Sequence, residues 1–263
     1  MKKSIMAVLL AGIIGEGMSQ TNLKFIKGMY IQWGYNKEWY TKSTIHFRDL
    51  TDGIRHDFTI YHAVAHDQGD LDALYKKPMQ ISIPQYNYRI GFYLNDTHSK
   101  AIELNYDHTK YIVDDFQRLH AKGSIGSKYF DKDTAFIGTD MHLEHTNGAN
   151  FYHINFVQQY LFKNKNGQNR FSILWKAGGG VLIPKTDIML SGRRMDNCFH
   201  IAGYCLGAEG GGRWYAGRKL FFESTAKTGF ANYTNALTPG VGKVNHYFGY
   251  FELIGTIGYD IKF

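Results

Sequence analysis

Proline and cysteine are scarce, at 4 and 2 of 263 residues. Two cysteines exclude a disulfide-stapled scaffold. Cys198 and Cys205 fall on opposite faces of one expected strand and are expected as free thiols. A long apolar run is missing as well. Beyond the first twenty residues the longest uncharged apolar stretch is Ala177 to Pro184, interrupted by three glycines. That is far short of the roughly 18 apolar residues a membrane helix needs. Disorder is excluded by the opposite property, an aromatic content of 16%. Abundant Gly, Tyr and Phe likewise argue against a helical bundle.

The N-terminus has the three parts of a secretory signal peptide over residues 1–19. Lys2 and Lys3 are its basic start, Ile5 to Ile14 its apolar centre, and Gly17-Met18-Ser19 its small-residue cleavage site. The expected mature chain, 20–263, reads as one domain without linker or repeat. The formal net charge of +7 is spread along the chain. For an exported protein this excludes nucleic acid as the expected partner and favours the anionic headgroups of outer-membrane lipids.

Period two runs through most of the mature chain. Counting back from the C-terminus, Phe263, Ile261, Tyr259, Ile257, Leu253, Phe251 and Tyr247 share one face. The other face carries Lys262, Asp260, Thr256, Glu252 and His246. Alternation this long exceeds an ordinary strand and fits a tilted membrane strand with an extension. A mean hydropathy of −0.34 is compatible, since only alternate residues of such a strand face lipid. The terminal Phe263 is the expected assembly signal, read by the outer-membrane insertion machinery. Similar alternation recurs at 86–95, 102–107, 137–144 and 171–183, punctuated by turn pairs such as Asn95-Asp96 and Asn166-Gly167.

The expectation is therefore an all-β fold: a closed antiparallel transmembrane β-barrel of 12 strands, with 10 as the alternative even number. The strands are expected near 24–36, 42–49, 55–65, 85–95, 100–112, 114–123, 133–146, 150–163, 169–183, 198–215, 218–232 and 243–263. Connections 66–84 and 184–197 are expected outside the cell, and Asn95–Ser99 and Tyr215–Lys219 as periplasmic turns.

The polar face of each strand should line the lumen. It supplies a charge network of Arg89, Glu103, Asp107, Asp140, Glu144, Lys176, Glu223, Lys227 and Glu252, with His142, Glu209, Asp260 and Lys262 also inward. Charges in a narrow lumen must be paired or hydrated. Both a closed, salt-bridged interior and a narrow polar pore satisfy that requirement. Trp33, Tyr35, Trp39, Tyr40, Tyr152, Tyr160, Trp214, Tyr215 and Tyr233 are expected at the interfacial girdles.

Chemistry has few footholds. The spacing of the twelve histidines supports no metal site, and no cofactor is expected. His145 follows Met141 and Leu143 on the apolar face, so it is expected to face lipid. His145-Thr146-Asn147-Gly148 resembles the His-x-Ser-Asn element of outer-membrane lipid A deacylases, which implies a basic role for His145 in acyl-ester hydrolysis. The match fails at Asn147, where that family has its nucleophilic Ser.

Four stretches together resemble a group of outer-membrane β-barrel proteins from Bacteroidota. They are Met29-Tyr30-Ile31-Gln32-Trp33-Gly34-Tyr35-Asn36, Ile83-Pro84-Gln85-Tyr86-Asn87-Tyr88-Arg89-Ile90-Gly91, His145-Thr146-Asn147-Gly148 and Gly180-Val181-Leu182-Ile183-Pro184-Lys185-Thr186. The resemblance implies signal, barrel and outer-membrane location, and no catalytic or ligand residues. The functional expectation is a non-enzymatic barrel, either a narrow conduit for small solutes or a structural and interaction component of the envelope with other envelope proteins as partners. The alternative is a lipid A or phospholipid hydrolase using His145.

Overall fold

The computed structural model describes residues 25–68, 85–135, 141–146, 148–196 and 198–261. The expected leader, Asp140, Lys262 and Phe263 lie outside the described residues. The strands are β1 (Gly28–Tyr40), β2 (Ser43–Asp49), β3 (His56–Ala63), β4 (Ala65–His66), β5 (Tyr86–Tyr93), β6 (Lys100–His108), β7 (Tyr111–Val113), β8 (Arg118–Ile125) and β9 (Lys128–Ala135). They continue with β10 (Met141–Thr146), β11 (Phe151–Lys163), β12 (Asn169–Leu182), β13 (Lys185–Leu190), β14 (Arg193–Asp196), β15 (Gly203–Tyr215), β16 (Leu220–Leu237) and β17 (Gly242–Ile261).

One antiparallel sheet contains twelve strands, in the order β1-β5-β6-β11-β12-β15-β16-β17-β2-β3-β8-β9, and it closes on itself where β1 pairs with β17. The closed ring is thus the eight strands from β1 to β17, and β2, β3, β8 and β9 continue the sheet beyond it. The division follows from strand length. β17 has 20 residues: Tyr250–Ile261 pairs with β1, while Gly242–Tyr247 pairs with β2. β1 and β2 are consecutive lengths of one edge, jointed at Thr41, whose amide donates to the Gly249 carbonyl at 2.9 Å.

The ring is strongly staggered. Cross-strand partners followed from Glu38 run through Glu252, Lys227, Glu209, Lys176, Val157, Ala101 and Tyr93, and return to β1 at Gly28, ten residues away. Eight strands with that stagger tilt by roughly 40° and enclose only enough space for side chains.

A second sheet, ordered β14-β13-β10-β7-β4, stands above the ring. It uses segments the sequence placed otherwise. The expected loop 184–197 holds β13 and β14, and the expected strand 133–146 is divided between β9 and β10. Pro184 separates β12 from β13, which continue in one direction but join different sheets. Ile45, Phe47, Phe58, Ile60 and Leu119 from the first sheet share one buried apolar cluster with Leu143, Ile188 and Leu190 from the second. The two sheets together form a cap with its own core.

Polarity inverts along single strands as they leave the ring for the cap. On β17 the outward residues Tyr259, Ile257, Leu253, Phe251 and Tyr247 are apolar and exposed, and Asn245 and Lys243 follow them. Inward, Asp260, Thr256 and Glu252 give way to Tyr250, Phe248 and Val244. From Tyr259 to Tyr247 a strand tilted by about 40° climbs roughly 30 Å, the thickness of a bilayer's hydrocarbon core. In lipid the outside must be apolar; above it, in water, the inside must be.

His145 belongs to the cap core. Its ring is fully buried, with Nδ1 3.1 Å from Thr186 Oγ1 and Nε2 3.0 Å from His246 Nε2. This corrects the expectation that it faces lipid: β10 is a cap strand, so its apolar face, with Leu143 and His145, points inward. Burial, and secondarily the adjacent His246, hold the His145 imidazole well below the usual histidine range. The folded state therefore keeps it neutral where the unfolded chain, titrating near pH 6.5, binds a proton. Its contribution is complete above that pH and declines as pH falls below it, by up to about 1.4 kcal/mol per pH unit. Acidification from pH 7 to 5 is expected to sensitise the cap to protease while the ring stays folded, and His145→Gln should weaken that dependence, the buried His246 beside it supplying the remainder. Protease digestion across this pH range, with barrel heat-modifiability as the control, checks it.

Candidate functional site

The lumen holds three stacked layers. Nearest the Asn95–Ser99 and Tyr215–Lys219 turns is an aromatic floor of Tyr30, Tyr93, Tyr215 and Phe221, each at most 4% exposed. Missing side chains make room for it: a Cβ on inward Gly91 would come within 2.0 Å of the Tyr30 ring, and one on Gly258 within 2.2 Å of Phe221. The Arg213 guanidinium stacks 4.1 Å from the Phe221 centroid and 4.6 Å from that of Tyr30.

The charge layer lies above. Glu252, Lys227, Glu209 and Lys176 are successive cross-strand partners on β17, β16, β15 and β12, a belt of alternating sign. Lys176 Nζ donates to both oxygens of Glu103, at 3.1 and 3.0 Å, and to Glu223 Oε1 at 2.7 Å, and lies 3.3 Å from Glu209 Oε1. Arg89 Nη1 donates to Glu209 Oε1 at 2.6 Å, and Arg213 Nε to Glu223 Oε2 at 2.8 Å. Lys227 donates to Asp107, and the Asn36 amide to Glu252 at 2.9 Å. Tyr30 donates from the floor to Glu103 at 2.7 Å. The side chains of Arg89, Lys176, Glu103, Glu209 and Glu223 are at most 2% exposed, so the layer is closed to solvent at both ends.

Phe151, Tyr233, Phe248 and Tyr250 form the third layer and merge with the cap core. On the side of the turns a polar vestibule of about 610 Å³, bordered by Lys27, Asp96, His98, Lys163, Arg218 and Asp260, ends against Tyr215.

Outside, Tyr160, Phe162, Phe171, Trp214 and Tyr259 ring the end of the barrel nearest the turns, and Trp39, Tyr152, Tyr204 and Tyr247 the end nearest the cap. No protein-family model matches the chain, and no curated protein matches it in sequence. Among solved structures it is similar to Neisserial surface protein A, with 12% identity, 89% of this chain and 97% of that one covered, and a TM-score of 0.38. It is also similar to OprG of Pseudomonas aeruginosa, with 10% identity, 90% and 98% covered, and a TM-score of 0.40. A third is Ail, the attachment invasion locus protein of Yersinia pestis, with 10% identity, 90% and 99% covered, and a TM-score of 0.35. Likenesses this distant carry no function. The closed ring, its girdled apolar exterior and its polar interior carry the location.

The protein is an outer-membrane β-barrel. Of the charges expected in its lumen, Arg89, Glu103, Asp107, Lys176, Glu223, Lys227 and Glu252 meet inside the ring, together with Glu209. Glu144 does not. It is on the outer face of the cap with His142, whose Nε2 lies 3.5 Å away, because cap strands turn their polar face outward. Three expected girdle residues, Tyr40, Tyr215 and Tyr233, point inward instead. Glu38 and Arg213 were not singled out from sequence. Glu38 lies past the expected end of the first strand, whereas Arg213 shares the face of Glu209 and period two alone would have found it.

Lys176→Ala is expected to leave Glu103, Glu209 and Glu223 facing one another with only Arg89 and, for Glu223, Arg213 as counter-charges. The loss should be roughly 3–5 kcal/mol, read as a lower urea midpoint for unfolding from lipid vesicles.

Proposed function

We propose that this outer-membrane barrel is non-conducting and non-enzymatic, and that its working part is the two-sheet cap, which acts as a structural and interaction element on the cell surface. The observation that carries this reading is the charge layer, inaccessible to water and closed in by aromatic layers on both sides. A conduit needs a continuous polar path, whereas here the lumen charges are cross-linked into a buried cluster between aromatic layers. The cap in turn has a packed core of its own, which a mere gating loop does not need.

The hydrolase alternative has no supporting observation. His145 is fully buried and bonded to Thr186 and His246, out of reach of a lipid ester. The same proposal takes residues 1–19 as the export signal, Phe263 as the signal to the insertion machinery, outer-membrane lipids as the partners of the girdles, and the Bacteroidota barrel group as the group the chain resembles.

Conductance tests the reading. Purified protein in planar bilayers should give no steady current above the lipid baseline at neutral pH. A stable and reproducible open channel in the wild type would overturn it.

A further inference from the structure

The cap core is open at one edge. β9 is the last strand of its sheet and overhangs the second sheet, leaving a cavity of about 430 Å³ between its inner face and Met141. The floor is apolar: Phe58, Ile60, Leu119 and Ala121. The wall is mixed. In the β8–β9 register Lys128 stands opposite Ile125 and Lys132 opposite Ala121, so both lysines project on the inward face of the sheet and line the cavity, flanking Phe130, whose ring lies 5.8 Å from that of Phe58.

The acids of β9 are on its other face. Asp131 lies 3.1 Å from Lys122 and 3.0 Å from His120, and Asp133 3.2 Å from His120. Each outward acid therefore has a hydrogen-bonding neighbour, Lys122 or His120, and among the described residues neither inward lysine has an ion-pair partner. The two lysines are about 13 Å apart along the strand, close enough for both flexible stems to reach one anion between them. An apolar chamber of this size with two cations at its rim is complementary to one kind of small molecule: an apolar body with a single anionic head.

We propose that the cap binds an anionic amphiphile from the external medium, a fatty acid or its like, with its tail on Phe58, Ile60 and Leu119 and its head group between Lys128 and Lys132. This deepens the interaction role proposed above by naming a ligand class. Its test is separable, because pocket binding and conductance are measured independently. The competing role for inward lysines on a free strand is to block edge-to-edge pairing, and it needs no ligand.

The experiment uses the full chain in lipid nanodiscs, with empty nanodiscs as blanks. The probes are 1-anilinonaphthalene-8-sulfonate and its neutral analogue N-phenyl-1-naphthylamine. The sulfonate should bind at one saturable site, at least about tenfold more tightly than the neutral probe, the scale of one desolvated charge pair. Lys128→Ala with Lys132→Ala, both exposed and compatible with folding, should abolish that preference while leaving weak binding of both probes. Ala121→Phe should block both probes, with protease resistance of the cap confirming that it is folded. Equal affinity for the two probes, a preference that survives loss of both lysines, or no saturable signal above the blank would each overturn the proposal; the last would leave the lysines as edge guards only.

Discussion

Eight strands with a stagger of ten enclose an interior that only side chains can fill, and each cation placed there is met by carboxylates from other strands. Lys176 illustrates the constraint. Its ammonium group is reached by carboxylates from β6, β15 and β16 at once, so strands far apart in sequence are tied through one nitrogen. The belt from Glu252 to Lys176 adds a second tie, running along the direction of the hydrogen bonds. Breaking one partner of such a cluster costs far more than the cluster contributes relative to an apolar filling. The same geometry buries these charges, with side chains at most 2% exposed, between the aromatic floor and the upper aromatic layer.

The cap depends on the reverse arrangement. Where β17 rises past Tyr247, the solvent on its outer face changes from lipid to water, and the residues on its two faces exchange character within one strand. β2 and β3 obey the new rule from the start, with Ile45, Phe47, Phe58 and Ile60 inward. The His145–His246 contact sits near this change, polar enough to follow the lumen's aromatic layer and compact enough to be enclosed by the cap. The cap is thus built in part from the ring's own sheet, continued past β17 and packed on the second sheet.

Much of this was legible in the sequence. Period two identified the strands and the inward charges of the ring, because lipid on one side and a filled lumen on the other leave each residue one face to occupy. The number of ring strands was not legible, since alternation is the same in a strand that crosses the bilayer and in one that extends above it. For the same reason parity was read with the ring's polarity throughout, which put Glu144 inside and His145 outside; β10 lies in the cap, where the rule is inverted. Tyr40, Tyr215 and Tyr233 were assigned to girdles because an aromatic near a strand end suits the interface, yet inward Tyr residues fill the floor and the upper layer. β13 and β14 were hidden by Pro184 and the Ser191-Gly192 turn, which read equally well as loop.

β17 leaves the membrane at Tyr247, where its outward face passes to Asn245 and Lys243. Single spin labels at Ile257, Leu253, Phe251, Tyr247, Asn245 and Lys243, in a background with Cys198 and Cys205 replaced, report whether each outward position collides with oxygen in lipid or with a nickel chelate in water. Oxygen should dominate at 257, 253 and 251, the two should cross near 247, and the chelate should dominate at 245 and 243. Lipid contact persisting to 243, or water contact at 253 and 257, would contradict the account.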